Sequence, residues 1–119
     1  MVFNTGAALL DAIVLAVVSK EPAGTYGYKI TQDVRLVIEL SESTLYPVLR
    51  RLLKYGYLET YDMECAGRNR RYYKVTVSGQ AQLDAYRNAW KEYAEKISSI
   101  FELKKVAQAG EKIIDTLSK

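Results

Sequence analysis

The chain has 119 residues, 49% of them apolar and 26% charged, with a formal net charge of +3. That balance excludes a disordered tail and suits one domain with an appended element. A single cysteine, Cys65, and no histidine exclude an internal disulfide and remove the commonest metal ligand and general base. A core of this size is modest alone, so a second copy is expected to supply further burial. The apolar run from Ala7 to Val18 is interrupted by Asp11, is too short to span a bilayer and has no basic residue before it. It reads as neither membrane helix nor signal peptide, and a reducing, cytoplasmic location is expected.

Along the chain, Gly6 to Ser19 reads as a first helix, with Leu9, Leu10, Ile13, Val14, Val17 and Val18 at helical spacing. Glu21-Pro22-Ala23-Gly24 breaks it. A second helix is expected over Tyr26 to Ile38, capped by Thr25, with Tyr26, Ile30, Val34 and Val37 near one face. The third is the clearest. Ser41 is its N-cap, Glu42 sits in the first turn, and Leu45, Val48, Leu49, Leu52 and Leu53 form the buried stripe. Pro47 lies early enough to cost little, and Gly56 is placed to end the helix in a left-handed conformation. Strand-like runs follow at Tyr57 to Met63 and Arg71 to Val77, joined by a loop Ala66 to Arg70. Thr76 or Ser78 then caps a helix running to about Ala109, before a short tail with Ile113, Ile114 and Leu117.

Three helices and a hairpin form the order of a winged helix-turn-helix. The fold class is α+β, mainly α, with a DNA-binding domain over 6–77 and a dimerisation helix and tail over 78–119. Leu83, Trp90 and Ile97, with Lys104, recur every seven residues, and Tyr86, Tyr93 and Ile100, with Ala107, form a second such series. Together they make a seam broken only at Lys104, and Leu83, Trp90, Ile97 and Ile100 are the expected dimerisation residues.

Charge points to the partner. Ser43 to Gly56 carries Arg50, Arg51 and Lys54 with no acid, and Gly67 to Thr76 carries Arg68, Arg70, Arg71 and Lys74 with no acid. Two basic segments that meet in space form a phosphate-binding face. On the third helix, Ser43, Thr44, Tyr46, Pro47, Arg50 and Arg51 are the expected contacts, because hydroxyls and guanidinium groups reach phosphates and base edges. Lys54 alone is better read as a solvated charge. Arg68, Arg70, Arg71 and Lys74 would serve from the hairpin, although charge there also protects an edge strand. Tyr26, Tyr28 and Lys29 open the second helix, which crosses the backbone in this architecture, so its start is expected at phosphate, with one of the two tyrosines in the core instead.

The run Ser43-Thr44-Leu45-Tyr46-Pro47-Val48-Leu49-Arg50-Arg51-Leu52 resembles the third-helix signature of the PadR family of transcriptional regulators. Gly27-Tyr28-Lys29-Ile30 resembles its second-helix opening. Gly67 with Arg70-Arg71-Tyr72-Tyr73-Lys74-Val75-Thr76 and Gly79 resembles its wing and last-helix start. The likeness covers about Leu9 to Trp90 and implies a homodimeric repressor binding a double-stranded operator, with Tyr46 at the DNA, basic wing residues assisting and the last helix dimerising. Leu53, Arg68-Asn69 and Val77-Ser78 depart from the family pattern without removing the DNA face.

Some proteins similar to this chain use a tryptophan at the position of Trp90 to hold flat aromatic molecules. That implies a planar aromatic effector at Trp90, with Tyr86 and Tyr93 beside it; ordinary interface packing is the competing reading. No cofactor, metal or enzymatic activity is expected, for want of any catalytic or ligand constellation. The alternative function is a protein-interaction module whose long helix pairs with a partner's helix. Cys65 has Asp62 and Glu64 near it, which oppose thiolate formation, and Arg68, which favours it; a structural thiol is the better reading than a redox sensor.

Overall fold

The structure is a computed structural model that describes residues 6–101. The elements run α1 (Gly6–Ser19), β1 (Thr25–Tyr26), α2 (Gly27–Arg35), α3 (Glu42–Lys54), β2 (Leu58–Cys65), β3 (Arg68–Val75) and α4 (Val77–Ile100). The sheet is antiparallel in the order β1-β3-β2. The chain divides into two units within α4, the first ending at Ala89 and the second beginning at Trp90. Seam positions 104 and 107, the expected helix end near residue 109 and the tail lie outside the described residues.

In the first unit, α1 is the centre of the core. Val14, Leu15 and Val18 are fully buried, and α1 contacts α2, α3 and β3. A helix apolar on nearly every side takes that central place, so Leu15, absent from the expected stripe, is as buried as its neighbours.

The second helix is shorter than expected. Thr25 and Tyr26 pair with Tyr73 and Tyr72 as a third strand, so Thr25 is a buried strand residue and Tyr26 is the N-cap, without a side-chain capping bond. Two residues are too few to give a period-2 signal. At the other end α2 stops at Arg35, whose Nε donates to the Leu40 carbonyl at 2.7 Å. Val37, expected on the buried face, is therefore exposed.

α3 follows its sequence closely. The Ser41 hydroxyl accepts from the Thr44 amide at 3.2 Å, and Leu45, Val48, Leu49 and Leu52 are buried; Leu53 is only half-buried. Leu45 N–H already donates to the Ser41 carbonyl, so Pro47 lies past the turn of free amides. It withholds a donor from the Ser43 carbonyl, which the exposure of Ser43 leaves open to water. Gly56, at φ 80°, ends the helix in a Schellman motif, with Gly56 N bonded to Leu53 O and Tyr57 N to Leu52 O, each at 3.0 Å.

The hairpin turn is tighter than a five-residue loop. Cys65 pairs with Arg68, leaving Ala66 and Gly67 as a two-residue connection with φ of 55° and 78°. Positive φ at both central residues is the requirement of a type I′ turn. Arg68, Asn69 and Arg70 thereby join the strand. At the hairpin's base, Thr76 Oγ1 accepts from Gly79 N at 3.0 Å, capping α4, and donates to Gly56 O at 2.6 Å. Gly79 lies against the Tyr57 carbonyl, where a Cβ would collide. From there Leu83, Tyr86 and Ala89 are buried within the first unit. Leu83 is thus core, not an exposed dimer contact, and Tyr86 is closed off from an effector; the heptad spacing does not distinguish a helix's own core stripe from a seam.

Candidate nucleic-acid interface

Four elements converge on one cleft of about 650 Å³. Tyr26 leads from β1 into Gly27 and Tyr28 at the start of α2, Tyr46 enters from α3, and Asn69, Arg70, Arg71 and Tyr73 come from β3. The meeting of α2 and α3 depends on a missing side chain. The Tyr46 hydroxyl lies against Gly27 where a Cβ would overlap it. Tyr46 remains partly exposed and Tyr28 is exposed, with its hydroxyl accepting from Gln32 Nε2 at 3.2 Å.

Alternation sorts the hairpin side chains. Tyr73 and Leu58 face the core. Tyr61, Tyr72 and Tyr26 are cross-strand neighbours on the other face, as the register requires. Tyr61 and Tyr72 stack with centroids 5.5 Å apart, and Tyr26 meets Tyr72 edge-on at 5.5 Å. The Tyr61 hydroxyl donates to the Ala23 carbonyl, across a space that Gly24 leaves open. Arg70, two residues before Tyr72 and on the same face, lays its guanidinium 4.3 Å from the Tyr26 ring centre. Arg71 lies 3.7 Å from Asp62, both exposed.

Burial pushes the Tyr73 phenol above its ordinary range, nearby Tyr46 adds to this, and Arg71 and Arg50 pull it back. Both cations therefore act on the cleft wall. Ser43, Thr44, Pro47 and Arg50 are exposed on α3. The Ser43 and Thr44 hydroxyls lie 2.9 and 3.1 Å from that of Ser41. Arg68 is exposed beside the turn, and exposed Lys74 pairs in register with Glu59.

Two of the expected contacts form ion pairs within the protein, Arg51 half-buried and Lys29 nearer the surface. Arg51 binds both carboxylate oxygens of buried Asp11 on α1. Lys29 lies 2.9 Å from Asp33 and 3.4 Å from Glu21, which hold its ammonium above the usual lysine range, Asp33 most strongly. Asp33 stands four residues after Lys29, a spacing that the sequence displays, whereas the position of Arg51 in the chain gives no sign of a carboxylate 40 residues earlier. Tyr26 and Tyr28, both expected at the opening of the second helix, line the cleft together, whereas Asn69 is a cleft residue that sequence reasoning missed.

In the second unit, Trp90 is about half exposed and its ring lies 6.1 Å from that of Tyr93. Ile97 is partly buried, and Ile100 and Phe101 are exposed. Cys65 is exposed. Among the described residues, no group of three or more His, Cys, Asp or Glu is arranged to hold a metal ion, and no helix is long and apolar enough to cross a membrane.

Comparison with known proteins gives a consistent assignment. The transcriptional regulator PadR-like family model matches residues 14–85. The transcriptional regulator Rv3488 of Mycobacterium tuberculosis is 37% identical over 73 residues, covering 60% of this chain and 68% of its own. The solved structure of smu.1704 from Streptococcus mutans superposes with a TM-score of 0.74 at 42% identity, covering 87% of this chain and 95% of that one. Bacillus subtilis PadR, solved in complex with operator DNA, shares the fold with a TM-score of 0.57 at 22% identity, over 66% of this chain and 47% of that one.

Proposed function

The chain belongs to the transcriptional regulator PadR-like family, and on that premise we propose that it is a sequence-specific, homodimeric repressor of a double-stranded DNA operator. The carrying observation is the cleft where Tyr28, Tyr46, Arg70 and Arg71 meet. It supports a division of labour in which Ser43, Thr44, Tyr46, Pro47 and Arg50 on α3 approach base edges and adjoining phosphates. Tyr28 and the wing residues Arg68, Arg70, Arg71 and Lys74 then grip flanking backbone. Lys29 and Arg51 support the fold behind this surface. Bacillus subtilis PadR, which shares the fold, binds operator DNA, which supports the reading. The test is binding to a duplex from upstream of the chain's own gene against a scrambled duplex, over a range of salt. Selective, salt-sensitive binding lost in the Tyr46→Phe, Arg50→Ala double variant is expected. Absence of binding at low salt overturns the reading.

Dimerisation through Trp90, Ile97 and Ile100, and release by a planar aromatic effector at Trp90 and Tyr93, complete the reading. Exposure of Trp90, Ile100 and Phe101 on the second unit supports it, since large apolar side chains left in water mark contact surfaces. Sedimentation of the wild-type chain and the Trp90→Ala variant tests the dimer, with a shift towards monomer expected in the variant. Quenching of Trp90 fluorescence by a planar dye, with parallel loss of DNA binding, tests the effector. A monomeric wild-type chain or a dye-insensitive Trp90 removes the corresponding part.

A further inference from the structure

The Tyr26 side chain has no role in capping α2, although Tyr26 occupies the N-cap position. Its ring instead bridges two other groups. One edge meets Tyr72, and the Arg70 guanidinium lies over its face at 4.3 Å. Tyr72 in turn stacks on Tyr61, whose hydroxyl is tied to the Ala23 carbonyl. The row is anchored at the Tyr61 end and offers Arg70 a fixed platform at the other. Tyr26 and Arg70 line the same cleft as Tyr46. An exposed arginine otherwise samples many rotamers, and immobilising one on binding costs affinity. A ring already holding the guanidinium lowers that cost while leaving its N–H groups free at the plane's edge to reach a phosphate.

We infer that Tyr26 is a positioning residue for the wing: it holds Arg70 in place before DNA arrives, so that the wing and the α2–α3 surface grip neighbouring phosphates as one unit. This rests on the reading of the cleft as the DNA surface. Tyr26 itself need not touch DNA, because its effect passes through Arg70.

A double-mutant cycle on the full chain tests the inference. The probe is the tightest duplex that the wild-type chain selects from a random-sequence library. Arg70→Ala is expected to weaken binding about tenfold and to lower the salt-dependence slope by about one per arginine removed. Tyr26→Leu, which removes the ring, is expected to weaken binding roughly two- to fivefold with the slope retained, because the charge is still present. In the Arg70→Ala background, Tyr26→Leu is expected to change nothing further; with Arg70 present, Tyr26→Phe, which keeps the ring, is expected to bind within about twofold of wild type. An equal loss from Tyr26→Leu in both backgrounds overturns the inference, since a ring needed only for folding acts regardless of Arg70. No loss in either background overturns it as well. Those outcomes leave wild-type binding intact, whereas failure of the wild-type chain to select any duplex removes the DNA reading and this inference with it.

Discussion

The Arg51 guanidinium on α3 donates from Nε and Nη2 to the two carboxylate oxygens of Asp11 on α1, the Nε bond measuring 3.2 Å. The pair fastens α3 to the central helix of the core, and its members differ in burial. Asp11 is almost completely enclosed, while the Arg51 side chain is one-third exposed. Removing Arg51 strands a carboxylate in the core, but removing Asp11 leaves a cation that water can still reach. Arg51→Ala is therefore expected to cost about 2–4 kcal/mol and Asp11→Ala only about 1–2 kcal/mol. Replacing both, as Asp11→Leu with Arg51→Met, should recover most of the loss. Urea midpoints of the variants check this, and equal losses from the two single variants would count against the asymmetry.

Ala66 occupies the first central position of the hairpin turn at φ 55°. A left-handed conformation costs an alanine roughly 1–2 kcal/mol, and asparagine tolerates it better through local hydrogen bonding. Ala66→Asn should raise the thermal midpoint, with slower amide exchange across the β2–β3 ladder. Because the substitution touches neither Arg68 nor the cleft, DNA affinity should hold or improve slightly. A lowered midpoint would contradict the turn assignment.

Burial raises the phenol of Tyr73 above the ordinary tyrosine value of 10.0, and does the same for Tyr86. For Tyr73 the cations Arg71 and Arg50 work against the shift; for Tyr86 the Gln82 side chain does. Each folded-state phenol keeps its proton to higher pH than the unfolded one. The stability is thus fully present below the unfolded value near 10 and is lost as pH rises through the folded values. Stability should be flat from neutral pH to about 9 and fall beyond 10, by at most about 1.4 kcal/mol per pH unit for each tyrosine. Tyr73→Phe should flatten that decline. Denaturation midpoints of wild type and variant along a pH series are the check.

Much of this was legible in the residues, and the parts that were not have a common cause. Ser41, Gly56 and the apolar stripe of α3 act locally, within a turn or two, so sequence alone carried them to the observed cap, Schellman motif and core. β1 is held by pairing with residues 46 to 48 positions away, and nothing within Thr25-Tyr26 announces it. The seven-residue series through Leu83 and Tyr86 has the spacing of a seam, yet at that end of α4 it is core. Among the basic residues expected at DNA, Arg51 is paired with a carboxylate 40 residues earlier, while Arg50 and Arg70 are exposed without one among the described residues. That pairing is three-dimensional, and a linear charge count does not contain it.

Gly27 and Tyr46 allow the fold and the proposed DNA surface to be separated. A methyl group at residue 27 would meet the Tyr46 hydroxyl and, behind it, the ring. In an unobstructed helix, glycine to alanine stabilises by about 1 kcal/mol. Here the added carbon must displace a side chain that lines the cleft, so Gly27→Ala should gain nothing or lose up to about 2 kcal/mol. It should also weaken DNA binding, because Tyr46 is pushed from its place. Tyr46→Phe removes the atom that the methyl group would strike hardest. On its own it should leave stability within about 1 kcal/mol and weaken operator binding by up to about tenfold, the worth of one hydrogen bond. Combined with Gly27→Ala, it should restore stability towards wild type without restoring affinity. That divergence, read by thermal melts beside DNA titrations, would establish that the glycine serves the tyrosine and the tyrosine serves the operator. Parallel recovery of both properties would instead make the Tyr46 hydroxyl a packing group, and the burden of recognition would pass to Arg50 and the wing.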